Sequence, residues 1–400
     1  MISRTSLWLM RIYYLLWTGA GGFLFPFISL FYADKGLTGT QMGWLATISS
    51  LVGLVSAPLI GRFSDNLQHP RRVLQLCLFG SGFLILILSQ QDLFGWMAII
   101  IAVETFIGAP IYPLSDAQAL SISSEKQGFG SIRLWGSLGW AVTAFLGGWM
   151  VSQAGLVSVF VGYAVLYWLC MLVIGWIIMP PKQAHISDAP RPSLRGILHS
   201  LVSLRALRGL TLALSIFWLS NNGRHQFETL YMFQLGASEK MIGWASTYPA
   251  LMELPLMLWA DSLVRKFGSG KVLSASLLIE AISLLGIVLV PSLATILLMR
   301  AASGVYYSFY AIASVAYAVE NAAEGQGATV LSLYYVTLAG IISLVTAPLS
   351  GAIYDRQGAY PLYIIAAAGT FLAWAALALS QQRSVRSEAQ VYEKRRNEHV

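Results

Sequence analysis

The chain has 400 residues, of which 56% are hydrophobic and only 11% charged, and its mean hydropathy is +0.66. Soluble domains carry about a quarter charged residues, so this composition excludes a water-soluble globule. The net charge of +7 would suit a nucleic-acid binder, but the basic residues fall in short segments between long apolar runs, which excludes that partner and leaves the lipid bilayer.

Residues 12–33, 36–61, 134–181, 325–354 and 357–382 contain no Asp, Glu, Lys or Arg. A helix crossing about 30 Å of hydrocarbon needs about 20 such residues. In lipid the backbone must satisfy its own polar groups, which leaves helices or closed barrels. Barrel strands alternate over about 10 residues, and these runs are longer and uniformly apolar. The expected fold class is therefore an all-α membrane protein of twelve transmembrane helices in two six-helix bundles. The spans are read at 6–32, 41–61, 73–91, 94–120, 131–153, 156–179, 209–235, 240–262, 271–291, 293–320, 327–352 and 360–380.

Span 1 is too long for a cleavable leader and lacks a small-residue cleavage site, so it is read as part of the mature protein. Span 2 runs into a polar turn with Gly61, Asp65, Arg71 and Arg72. Span 4 holds Glu104, with eleven apolar residues on each side, and Asp116 nearer its end. Span 5 carries Arg133 and Trp140. A connection at 180–208 follows span 6, with Pro180, Pro181, Pro190, Pro192 and five basic residues. It reads as a linker between a bundle at 1–179 and one at 209–380. Span 7 holds Arg224 and Glu228, span 8 Glu253 between Pro249 and Pro255, span 9 Glu280, and span 10 Arg300 and Tyr307. Residues 381–400 read as a polar tail. Cys77 and Cys170 lie in separate apolar runs and suggest neither a disulfide nor a metal site, and no cofactor is implied.

If the N-terminus is cytoplasmic, the inside segments hold 19 Lys and Arg residues. The outside ones hold three, namely Lys35, Lys240 and Arg356. Basic residues accumulate on the cytoplasmic side. The expected location is thus the cytoplasmic (inner) membrane, multi-pass, with both termini and the gate-side turns inside.

The halves repeat. Gly43-Trp44 returns as Gly243-Trp244 and Gln127-Gly128 as Gln326-Gly327. Gly148 and Gly155 return as Gly351 and Gly358, and Pro58 and Asp65 as Pro255 and Asp261. Parallel repeats of six spans place a solute site near the midplane between the halves.

With these features the chain resembles the major facilitator superfamily over nearly its whole length. Gly61-Arg-Phe-Ser-Asp65 followed by Arg71-Arg72 looks like that family's turn between helices 2 and 3. The resemblance implies that Gly61, Asp65, Arg71, Arg72 and, in the second half, Asp261 latch a cytoplasmic gate. Gln68-His69-Pro70 depart from the pattern, standing where a Gly and basic residues are usual. Arg133-Leu-Trp-Gly136-Ser-Leu-Gly139-Trp140 is similar to helix 5 of the lactose permease, phenylpropionate permease and nucleoside–proton symporter group. That likeness implies a seat for a sugar or related solute at Arg133 and Trp140, with Asp116 and Glu253 as the matching acids. Helix 10 of the group commonly carries a His, whereas here the stretch reads Arg300-Ala-Ala-Ser303-Gly-Val-Tyr306-Tyr307. A proton must then be carried elsewhere.

Charges inside a membrane cost at least about 2.5–3.5 kcal/mol each, so they mark function or a structural pair. Glu104 and Arg300 occupy corresponding repeat positions, each four residues before a Gly. They are expected to face each other across one cavity, the alternative being a static pair. Arg224 and Glu228 are four apart on one face, and either bind solute or pair at a helix end. Glu253, between two prolines that free backbone carbonyls, is expected to be the proton-coupling residue, with Glu104 second. Glu280 is expected to be structural. Arg133 and Trp140 are seven apart, within about 20° on a helix, and form either a solute seat or an interfacial anchor. Asp116, Tyr307, Arg300, Arg224 and Glu228 complete the expected solute contacts.

The chain has no Walker loop, no Gly-x-Ser-x-Gly and no His/Cys metal cluster, so no enzyme is expected. A sensor of the same fold is expected to carry a large soluble extension, which these residues do not include. The expected function is secondary transport of a small organic solute (sugar, nucleoside or aromatic acid) by a monomer, coupled to protons. The competing readings are proton-driven drug efflux and a transport-inactive sensor.

Overall fold

The computed structural model describes residues 4–66, 70–122, 129–177, 205–322 and 326–398. These residues form helices and no strand. In chain order they are α1 (Arg4–Leu24, continued by Ile28–Asp34), α2 (Gly39–Asn66), α3 (Pro70–Leu88), α4 (Phe94–Gly108, continued by Ile111–Ile122), α5 (Phe129–Ala154) and α6 (Val157–Trp176). The second half holds α7 (Arg205–Gln234), α8 (Glu239–Phe267), α9 (Ser269–Leu289), α10 (Leu293–Glu320), α11 (Gly327–Ser332, a π-helical stretch Leu333–Leu338, then Ala339–Gln357) and α12 (Tyr360–Glu398). The breaks in α1 and α4 fall at Pro26 and Pro110, where the ring removes an N–H and crowds the preceding turn.

Ten of the helices among the described residues are long and apolar enough to cross a membrane by composition alone. The other two, α7 and α8, have 30 and 29 residues. They are long enough to span, but they carry the charged and amide side chains that the fold turns inward. The outer surface is apolar instead, with Trp44, Leu51, Val55, Phe79 and Trp96 all exposed. An apolar exterior is what contact with hydrocarbon requires.

Each half is packed alike. In the first, α1 packs on α5 and α6, α2 on α4, and α3 on α6; in the second, α7 packs on α11 and α12, α8 on α10, and α9 on α12. The halves meet mainly at two crossings, α2 with α11 and α5 with α8, with a smaller contact between the second part of α1 and α7. A twofold relation exchanges these crossings, and the repeated glycines form them. A Cβ on Gly43 would stand 2.4 Å from the Ala347 carbonyl oxygen, and one on Gly243 2.7 Å from that of Ala144. Gly148 meets Gly243, and Gly351 meets Gly39. No other residue allows backbones so close. Gly155 and Gly358, at φ +78° and +75°, end α5 and α11 in the left-handed conformation. Because successive helices run antiparallel, both crossings lie towards the end of the bundle remote from the chain termini.

Residues 178–204, most of the expected linker, lie outside the described residues, as do Gln127 and Gly128. The expected tail begins as helix. α12 continues as helix to Glu398, since residues 381–398 hold no Gly or Pro to stop it and many strong helix formers.

Candidate substrate cavity

The two halves enclose a cavity of about 440 Å³. Its lining follows helical spacing. Tyr14, Trp17 and Thr18 line it from α1, and Tyr112 and Asp116 from the second part of α4. Arg133, Gly136, Ser137 and Trp140 line it from α5. From the other half come Ser246, Pro249, Ala250, Glu253 and Met257 on α8, and Arg300 and Tyr307 on α10. Residues three, four and seven apart share one face of a helix, which is why each helix presents a narrow polar stripe.

The first-half wall is hydrogen-bonded in place. The Tyr14 hydroxyl donates to Asp116 Oδ1 at 2.6 Å, and the adjacent Tyr13 and Ser115 hydroxyls are 2.6 Å apart. Thr18 donates to the Gly136 carbonyl at 2.6 Å, fastening α1 to α5. Trp17 and Tyr112 meet at 5.5 Å between ring centroids. Trp140 stacks on Phe25 at 6.1 Å and 21°. Arg133 makes no ion pair within 4.0 Å among the described residues, and neither does Glu253. These two groups of opposite charge line facing walls of the cavity, with Tyr112 beside Arg133.

Arg300 is held differently. Its Nε donates to the Ala245 carbonyl at 2.9 Å, and its Nη1 donates to Glu228 Oε2 at 3.1 Å. Ala245 lies four residues before Pro249, which has no N–H to offer, so the helix leaves that carbonyl free for the guanidinium. Behind Arg300 lies a chain of alternating charge. Glu228 Oε1 is 3.4 Å from Arg224 Nη1, and Arg224 Nη2 donates to Glu280 Oε1 at 3.0 Å. Arg224 Nη2 also lies 3.0 Å from His225 Nε2.

The structure brings Asp116, Arg133, Trp140, Glu253, Arg300 and Tyr307 together in one cavity. Two expectations require correction. Arg224 and Glu228 do not line the cavity. Arg224 is 3% exposed and is consumed by two carboxylates, so it has no surface left for a solute, and Glu228 supports Arg300 from behind. Glu104 does not face Arg300. It accepts from Ser81 Oγ at 2.5 Å and points towards α3, where Ser81 in turn neighbours Tyr163. Glu104 lies in the first part of α4, before the break at Pro110, whereas Tyr112 and Asp116 lie in the second part. Arg300 and Tyr307 are within about 20° of each other. The repeat aligned chain positions but not faces.

Among the described residues, those expected gate residues with hydrogen-bond or ion-pair partners bond within their own halves. Arg71 Nη1 donates to the Ile177 carbonyl at 3.0 Å, capping the end of α6. Arg72 is exposed. Asp261 pairs with Arg265 one turn along its own helix. Gly61 has open space beside it, and the Asp65 side chain lies outside the described residues. Sequence reasoning missed Tyr14, Trp17, Thr18, Tyr112, Ser246 and Met257. Their i, i+3, i+4 spacing was visible, but aromatic and small residues are common in any span and carry no charge to flag them.

The MFS_1 like family model matches residues 7–365. Maltose permease of Geobacillus stearothermophilus is 24% identical over 355 residues, covering 88% of this chain and 89% of the relative. Lactose permease of Klebsiella oxytoca is 21% identical over 367 residues, covering 85% and 86%. Among solved structures, the nucleoside transporter NupG superposes with a TM-score of 0.77 at 14% identity, covering 94% of this chain and 99% of NupG. A bacterial homologue of the iron transporter ferroportin, in an inward-facing state, superposes with a TM-score of 0.75 at 14% identity, covering 94% and 98%. These relatives are membrane transporters rather than enzymes. With a family model spanning nearly the whole chain and a fold to match, the protein is a major facilitator transporter of the MFS_1 like family.

Proposed function

We propose that the protein carries a sugar across the cytoplasmic membrane by alternating access, with proton movement coupled through Glu253. The observation that carries this reading is the pairing of Arg133 and a stacked Trp140 on one wall with Glu253 on the other, in a cavity of about 440 Å³. Hydroxyl groups suit guanidinium and carboxylate partners, and the apolar face of a pyranose suits an indole. The names of several relatives point the same way, among them maltose permease, lactose permease and a sugar efflux transporter of Dickeya chrysanthemi that is 22% identical over 380 residues.

Alternating access is supported by the two glycine crossings, which close the end remote from the termini, while at the opposite end Arg71 and Asp261, among the described residues, bond only within their own halves. The sided excess of basic residues argues that this opposite end is cytoplasmic. Glu253 is suited to proton coupling because it sits mid-span and lines the cavity with no ion pair within 4.0 Å among the described residues. A carboxyl group among apolar neighbours favours its neutral form, and approach of Arg133 or a polar solute favours the anion.

Uptake of labelled maltose, lactose, nucleosides and aromatic acids into proteoliposomes, with and without a pH gradient, tests the solute and its direction. Accumulation of the nucleosides alone would overturn the sugar assignment. Glu253→Gln mimics the neutral acid. It should keep solute exchange between the two sides while losing accumulation driven by the gradient. Accumulation equal to the parent would remove Glu253 from the coupling step.

A further inference from the structure

The two crossings that join the halves are alike in their glycines but not in their ends. At the start of α2 the first backbone N–H groups have no partner within the helix. One of them is served locally, since Thr38 and Gln41 cap each other. The Gln41 N–H donates to Thr38 Oγ1 at 3.2 Å, and the Thr38 N–H donates to Gln41 Oε1 at 2.9 Å. The next two are served from the other half. Asp355, near the end of α11, accepts from the Gly39 N–H at 2.5 Å with Oδ1. With Oδ2 it accepts from the Thr40 N–H at 2.8 Å and from the Thr40 hydroxyl at 2.6 Å. A carboxylate on one half thus closes the N-terminus of a helix on the other. Gly39 makes this approach possible, because a Cβ there would stand 2.8 Å from Asp355 Oδ1.

The related crossing has no such group. The offset that maps Ala144 onto Ala347 maps Ser152 onto Asp355. Ser152 spends its hydroxyl on the Trp149 carbonyl of its own helix. The start of α8 is capped by its own Ser238, whose Oγ accepts from the Met241 N–H at 3.4 Å, and its first turn already carries Glu239. A carboxylate opposite it would meet another acid. The other charged groups at this end leave Asp355 alone. Lys35 is tied to Asp92, and no ion pair joins Asp34, Lys240 or Arg356 to Asp355 among the described residues.

We propose that Asp355 is a one-sided latch that holds α2 against α11 and biases the transporter towards the state closed at the end remote from its termini. The proposal rests on the alternating-access reading. Three charge-assisted bonds and the positive end of the α2 dipole all favour the carboxylate when the crossing is closed. When the halves part, water replaces them, so the latch adds a preference without forbidding opening. The crossing of α5 with α8 is joined by a neutral bond, the Thr247 hydroxyl donating to the Ala141 carbonyl at 2.8 Å, and not by a carboxylate.

The test is a distance between nitroxide labels at Gln90 and Pro291, exposed residues in the corresponding connections of the two halves at this end. They are introduced in a background without Cys77 and Cys170 and read by pulsed electron resonance in lipid nanodiscs. The parent should give mainly a short distance. Asp355→Asn keeps the shape and removes the charge, and should raise the ratio of long to short distances about tenfold, the loss expected for a strong helix cap. Thr40→Val removes one bond of three, with a smaller shift in the same direction, and serves if Asp355→Asn fails to fold. Distance distributions for both variants that match the parent would overturn the latch. Because the readout needs no solute, that result leaves the sugar reading standing, just as failed sugar uptake would leave the latch standing.

Discussion

At the scale of single residues, the second half contains a charge chain that reaches from the cavity into the core: Arg300, Glu228, Arg224 and Glu280. Its two ends differ. Arg300 lines the cavity, whereas Glu280 is 1% exposed and has one oxygen without a partner among the described residues. Removing one member of a buried pair strands its partner's charge, at a cost of about 3–5 kcal/mol, while replacing both with apolar groups is often neutral. Glu280→Gln and Arg224→Gln should each lower the melting temperature in detergent sharply. The double replacement Arg224→Leu with Glu280→Leu should recover most of the loss. If the double variant is no better than the singles, the pair is not the source of the stability. The chain also shows what a sequence gives at this scale. Each charge announced itself by sitting in an apolar run, and the four-residue spacing of Arg224 and Glu228 announced their contact. That Glu280 on α9 completes the set, and that Glu104 turns away to Ser81, depends on how helices are rotated against one another. Helical periodicity fixes which residues share a face, but not which neighbour that face meets.

At the scale of elements, the glycine crossings explain why those repeats survive in a pair of halves that otherwise differ. Gly43 and Gly243 sit where carbonyls of the facing helices leave no room for a side chain. Overpacking such a contact costs about 1–3 kcal/mol, and here the strain falls on one conformation only. Gly43→Val should therefore destabilise the closed crossing while leaving each half folded. The distance between labels at Gln90 and Pro291 should lengthen, and thermal stability should change little. Gly61→Val is the control, because open space surrounds that glycine, and it should leave the distance unaltered. A Gly43→Val variant with the parental distance would mean that α2 and α11 are not the closing elements. The prolines were equally legible, yet their consequences were only half so. Pro26 and Pro110 break α1 and α4, while Pro58 and Pro348 are absorbed within α2 and α11. Pro249 supplies a free carbonyl that anchors Arg300. Neighbouring helices decide among these outcomes.

At the scale of the whole molecule, twelve spans in two halves follow from apolar length and the repeat, and the fold agrees. Composition alone recovers ten, because α7 buries Asn221, Arg224 and Glu228 and α8 turns Glu253 to the cavity, where a hydropathy window counts them as if they met lipid. Orientation rests on a separate argument. Lys and Arg resist transfer across the membrane during insertion, so the side with 19 of them against three should be cytoplasmic. That imbalance is spread over both termini, the connection at 180–208 and the turns after the even-numbered helices, so no single segment decides it. A cysteine placed at position 190 by Pro190→Cys, in a background without Cys77 and Cys170, should resist a membrane-impermeant maleimide in intact cells and react once the membrane is opened. A cysteine at Gln357, exposed at the opposite end, should react in intact cells. Reversal of the two patterns would place the chain termini outside, and Asp355 would then guard the cytoplasmic entrance.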